Sequence, residues 1–141
     1  MAQFMNFVHI LGAAAVGFYI LLPFIVAKIT SLSLPAQEGS AVAIRSFNIF
    51  AQVGLLIQFI TGGYLMTQGN YSVPWMIVIT VLIVALFAVS GMMSRPLKAA
   101  IAGIKEKADI SAHIGKMRVQ SAILAVLMVA MLFFMVYRYI I

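Results

Sequence analysis

The sequence predicts an all-α membrane protein, a four-transmembrane-helix up-down bundle, and three observations carry that expectation. Of 141 residues, 65% are hydrophobic and only 9% charged, whereas a soluble domain carries about 25% charge. Too few ionic groups are present to cover a water-facing surface, and the mean hydropathy is +1.14. Four uncharged apolar runs match the roughly 20 residues of helix that cross a hydrocarbon core about 30 Å thick. They extend from about Phe4 to Ala27, Phe47 to Thr67, Pro74 to Gly91 and Val119 to Tyr137. A β-barrel would alternate with period 2 in segments of about 10 residues; these runs are long and unbroken. With 0 Cys, disulfide scaffolds, iron–sulfur clusters, thiolate zinc sites and thiol nucleophiles are excluded.

The first run lacks a basic start and an Ala-x-Ala exit and contains Asn6 and His9, so it is read as a retained span and not a leader. Ser31 to Ser40 combines Pro35, Gly39, serines and Glu38, which is loop composition. Gln68 to Pro74 is a tight turn, with Pro74 suited to the first turn of the next helix and Trp75 at headgroup depth. The one long polar stretch runs from Ser94 to Arg118. Within it Leu97, Ile101, Ile104 and Ala108 share a helical line, with Lys98, Lys105 and Lys107 off it. This predicts a cytoplasmic amphipathic helix over about 96–110 on the membrane surface, or an extension of the third span past Pro96. Asp109-Ile110-Ser111 ahead of the last span is expected to cap its N-terminus.

An even number of spans leaves both termini on one face. Lys28, Arg45, Arg95, Lys98, Lys105, Lys107, Lys116 and Arg118 fall on the opposite, loop face, against Arg138 alone on the terminal face. The positive-inside rule therefore expects both termini on the non-cytoplasmic side, and the imbalance argues against a dual-topology transporter. The net charge of +6 reports this topology and attraction to anionic headgroups at the cytoplasmic face; it has no nucleic-acid meaning.

No Asp, Glu, Lys or Arg lies near the middle of a span, which counts against proton- and cation-coupled carriers. His9 shares a helical face with Asn6, Ala13 and Val16, so it should point into the bundle, either as a structural hydrogen-bonding group or as a ligand or relay. Arg45, Asn48, Gln52, Phe59, Gly63 and Met66 form a stripe on the second span, with Gln58 further round. Its amides either bind neighbouring helices or line a cavity. On the fourth span His113, Met117, Met128, Met131, Met135 and Arg138 align; core packing is preferred over copper binding for these thioethers, and no metal site is assigned. His9 and His113 sit at opposite ends of the bilayer, so one chain cannot pair them around a haem. If His9 binds haem b, its opposite ligand is water, nothing, or Met131, Met135 or Met66 from its own level, with Arg138 near a propionate. Hydrolytic chemistry finds no converging Ser, His and carboxylate.

Phe7-Val-His9-Ile-Leu-Gly12 with Gly17 and Leu22-Pro23, and Arg45-Ser-Phe-Asn48 through Ala51-Gln52 to Thr61-Gly62-Gly63-Tyr64-Leu65, resemble the opening helices of small four-helix bacterial integral membrane protein families. With Trp75 and Ser94-Arg95-Pro96-Leu97 the likeness covers the first two-thirds of the chain. These include uncharacterised families and, more distantly, the copper-resistance protein D membrane domain and HemJ-type protoporphyrinogen oxidases. The resemblance implies a plasma (inner) membrane protein and, on the tetrapyrrole side, His9 as haem or porphyrin contact. Three functions remain as expectations. One is a redox or tetrapyrrole-binding protein with His9 as ligand and Asn6 and Arg138 in support. Another is a non-catalytic accessory or assembly subunit of a membrane complex. The third is a homo-oligomeric channel or carrier, with Asn48, Gln52, Gln58 and Thr61 facing the pathway.

Overall fold

The apolar runs are helical in the computed structural model, which describes residues 1–141, apart from a turn at Gly17 and the last residue of the fourth run, Tyr137. Four helical passes are long and apolar enough to cross a membrane, and no strand is present. The first pass comprises α1 (Ala2–Val16) and α2 (Phe18–Ile29); the second is α3 (Leu34–Gln68). The third joins α4 (Val73–Met92) to α5 (Ser94–Lys105), and the fourth is α6 (Ser111–Val136). The passes run alternately up and down, so the termini and the 69–72 turn share one end, the terminal end. The 30–33 and 106–110 connections share the other, the loop end.

Local chemistry explains the breaks. At Gly17 the helix tightens, with Ile20 N–H donating to Gly17 O at 3.1 Å, and Pro23 inside α2 has no amide to offer Tyr19 O. The α4 N-terminus is closed by Ser72, whose Oγ accepts from Trp75 N–H at 3.2 Å, while Pro74 occupies the first turn, where a missing amide costs nothing. Past Met93, Pro96 leaves Met92 O without an intrahelical donor, yet α5 continues, because Pro96, Leu97, Ala100, Ile101 and Ile104 are buried.

Two expectations about boundaries are corrected. The segment 31–40 is mostly helix: α3 starts at Leu34. Pro35 falls in its first turn, Ala36, Gln37 and Glu38 favour helix, and Ala41 and Ile44 are buried against neighbours. Hydropathy had marked the lipid-embedded part of this helix, not its start. The amphipathic segment ends at Lys105, not near 110, and Ala108 is exposed. There Lys107 adopts φ 55°, and Ala108 N–H donates to Gly103 O at 2.8 Å and Lys107 N–H to Ile104 O at 3.1 Å. These paired bonds are a Schellman termination, which absorbs the orphan carbonyls of the last turn. The apolar face of α5 rests on α3 and α6, so this segment extends the third pass. At the start of α6 the N-cap position is Ile110, without a side-chain cap; Asp109, one residue earlier, accepts at Oδ1 from Ser111 N–H at 3.0 Å and from its hydroxyl at 2.8 Å, so the expected capping is met at one amide.

Packing divides the bundle into a solid end and an open one. At the loop end α2, α3, α5 and α6 enclose Ile29, Ile44, Leu97, Ile104, Ile114 and Met117. At mid-depth Tyr19 donates to Asn48 Oδ1 at 2.8 Å, and Asn48 Nδ2 donates to Ser90 O at 3.2 Å, tying the first three passes together. Towards the terminal end the first pass changes partner at Gly17: α2 packs on α6, whereas α1 packs on α3. That close approach depends on glycine. A Cβ on Gly54 would stand 3.0 Å from Ala15 Cβ and 3.1 Å from Gly12 O. Leaning towards α3, α1 leaves a space in front of α6.

Candidate functional site

The space left by the partner switch is a cavity of about 400 Å³, within the roughly 300–1,000 Å³ range of small-molecule sites. All four passes contribute to it. Asn6, His9, Ala13 and Val16 come from α1, and Leu55, Gln58, Gly62 and Met66 from α3. Trp75, Ile79, Ile83 and Leu86 come from α4, and Met128, Met131 and Met135 from α6. Tyr71 and Arg138 stand at the terminal end. Val16, Leu55, Leu86 and Met128, all buried, close it off from the packed half. From Asn6 to Val16 the wall rises about 15 Å at about 1.5 Å per residue. With 14 of its 21 lining residues hydrophobic, the cavity suits an apolar body held by a few polar groups.

His9 is the chemically distinct member. Its Nδ1 lies 2.7 Å from Thr61 Oγ1, and the Thr61 hydroxyl donates its one proton to Ile57 O at 2.6 Å. A hydroxyl whose proton is committed can only accept. His9 therefore carries its hydrogen on Nδ1, and Nε2 keeps a free lone pair in a residue of the cavity wall. An outer partner that fixes the tautomer of a histidine in this way is the usual support for a metal-ligating imidazole. Gln58 holds the same turn of α1 by donating from its side-chain amide to His9 O, and a Cβ on Gly62 would lie 3.3 Å from His9 Cε1. The ring is thus bounded by α3 on two sides.

The thioethers Met66, Met128, Met131 and Met135 line this same space, with Met128 and Met131 buried and Met135 half-buried. His113 lies in the first turn of α6, at the opposite end of that helix from Met131 and Met135. No group of three or more His, Asp or Glu side chains converges to hold a metal ion.

At the terminal end the Arg138 guanidinium carbon is 5.9 Å from the Tyr71 ring centroid and 5.4 Å from that of Tyr139. Tyr71 stacks on Trp75 with centroids 4.8 Å apart and planes inclined by 15°. Trp75 Nε1 in turn donates to Phe134 O at 2.7 Å, which anchors the stack to α6.

Of the residues singled out from sequence, the structure brings Asn6, His9, Gln58, Met131, Met135 and Arg138 to one cavity. It leaves Asn48 and Gln52 outside. Asn48 is spent on Tyr19 and Ser90, and Gln52 Nε2 reaches Ser90 Oγ at 3.5 Å, so these amides join helices. Sequence reasoning gave Trp75 only a headgroup role and Tyr71 none. The Pro74-Trp75 pairing after a tyrosine-bearing turn was the available signal. The bond between Thr61 and His9 spans 52 positions and had no local signature.

The fold and its cavity define a class: a four-pass helical membrane protein with a ligand-sized space in one half of its bundle. No family model, curated protein or solved structure matches the chain.

Proposed function

We propose that the protein binds a tetrapyrrole, haem b, in this cavity, where His9 Nε2 would hold it, in a membrane redox role. The observation that carries the reading is the committed Thr61 hydroxyl, which makes Nδ1 the protonated nitrogen of His9 and leaves Nε2 available. The residues of the cavity suit the group: an imidazole with a free lone pair and thioethers at Met66, Met131 and Met135 that could hold it, and apolar walls for a macrocycle. When bound, haem supplies one-electron chemistry, and the protein's part is to hold and orient it and to exclude water. Asn6, beside His9 on the cavity wall, offers the second polar contact.

The same reading includes orientation and setting. The basic loop end faces the cytoplasm and the anionic headgroups of a plasma membrane, and the cavity opens in the half of the bilayer away from the cytoplasm. The chain is proposed to work as a homo-oligomer or as a subunit of a larger complex. The test is haem content: protein purified in detergent from haem-supplied cells is expected to carry about one haem per chain, and His9→Ala none. A protein without haem in both forms would abandon the reading for the alternative, a non-catalytic accessory subunit. That alternative draws on the interhelical use of Asn48 and Gln52, which also removes them from the pathway a channel would need.

A further inference from the structure

Arg138 is a cation without a carboxylate side chain on its own face. The chain's acidic side chains, Glu38, Glu106 and Asp109, all belong to the loop end, and the guanidinium meets only the faces of Tyr71 and Tyr139. Ring faces attract a cation but do not neutralise it. Because the Tyr71 ring is itself stacked on Trp75 and Trp75 is fastened to Phe134 O, the exposed guanidinium stands at the rim of an apolar cavity over an anchored ring, with ring faces as its protein contacts. A guanidinium fork is shaped for a carboxylate, and Arg138, exposed just past the end of α6, is accessible to one carried by a ligand in the cavity.

We propose that Arg138, braced by the Tyr71–Trp75 stack, is the acid-recognition site of the cavity. The ligand class it takes is a flat apolar body bearing a carboxylate that faces the terminal end; the choice of a porphyrin as that body rests on the tetrapyrrole reading. The acid group fixes the ligand's orientation, with the carboxylate at Arg138 and the body directed towards Leu86 and Met128. This orientation brings the body past His9 whether or not it carries iron, so acid recognition and iron ligation are separable.

The chain has 1 Trp, and it lines the cavity, so the emission of Trp75 reports occupancy without an added label. The probes are iron-free protoporphyrin IX and its dimethyl ester, titrated into the full chain in detergent. The expected result is saturable quenching by the diacid, with the ester bound about tenfold more weakly, as loss of one charge-assisted contact implies. Arg138→Gln should bring the diacid down to the level of the ester, and Arg138→Lys should retain part of the difference. Arg118→Gln, a loop-end control of equal charge change, should leave both affinities unaltered. Equal affinity of diacid and ester for the wild type, or an unchanged diacid affinity in Arg138→Gln, would overturn the inference and assign Arg138 to lipid phosphate, leaving the tetrapyrrole reading standing. No quenching by either probe would overturn that reading and this inference together.

Discussion

Thr61 determines which nitrogen of His9 carries the proton, and a single methyl-for-hydroxyl exchange isolates that role. Thr61→Val removes the acceptor and frees the tautomer; haem affinity is expected to fall by about 10- to 100-fold, the usual cost of losing an outer partner of a ligand. Thr61→Ser should recover most of it, and the change is read from haem titrations. At the loop end, Lys107 holds φ 55°, a region that costs an L-residue roughly 1–2 kcal/mol. Lys107→Gly should therefore stabilise the α5 terminus by about 1 kcal/mol, measured as a raised unfolding midpoint. Asp109 is held below its ordinary carboxyl value of 3.8, first by the backbone bond from Ser111, then by the Ser111 hydroxyl and, more weakly, by His113. A lowered native value means the cap contributes fully above pH 3.8 and is lost as pH falls through that lower value. In Asp109→Asn this acid-dependent fraying of the first turn of α6 should vanish, as followed by amide exchange.

Among elements, the seam between α1 and α3 holds the site together, because His9 reaches Thr61 only where the two backbones almost touch. Gly54→Val would force Ala15 and Gly12 apart and is expected to cost about 1–3 kcal/mol in stability. It should also weaken haem binding with no change in any group that touches the ligand. Number, order and alternation of the passes were legible from the sequence, since length and hydropathy alone decide what can cross lipid. The start of α3 at Leu34 was not, because its helical extension is sustained by Ala41 and Ile44 packing against other passes, and loop-like composition does not register tertiary cover. The line Leu97, Ile101 and Ile104 was read correctly as one apolar face; Ala108 was wrongly added, since the turn at Lys107 ends the period. The partner switch at Gly17, and hence the cavity, is a relation among three helices that no single-helix periodicity contains. His9, Met131 and Met135 could be selected by depth, but their convergence with Gln58 and Arg138 required the packing.

The molecule as a whole is a bundle with a packed, basic half and a hollow half whose cavity His9 and Arg138 line. Orientation can be checked cleanly because the chain has 0 Cys. Asn70→Cys, in the exposed turn of the terminal end, should react with an impermeant maleimide on intact cells. Gly39→Cys, where an added side chain meets open space, should react only after permeabilisation; the reverse pattern would invert the topology. The most direct test of the central claim is the absorption spectrum of the detergent-solubilised protein titrated with haem, wild type against His9→Ala. The expected result is a sharp, saturable Soret band in the wild type that is absent from the variant. A featureless wild-type spectrum, or a band that survives unchanged without His9, would contradict the claim.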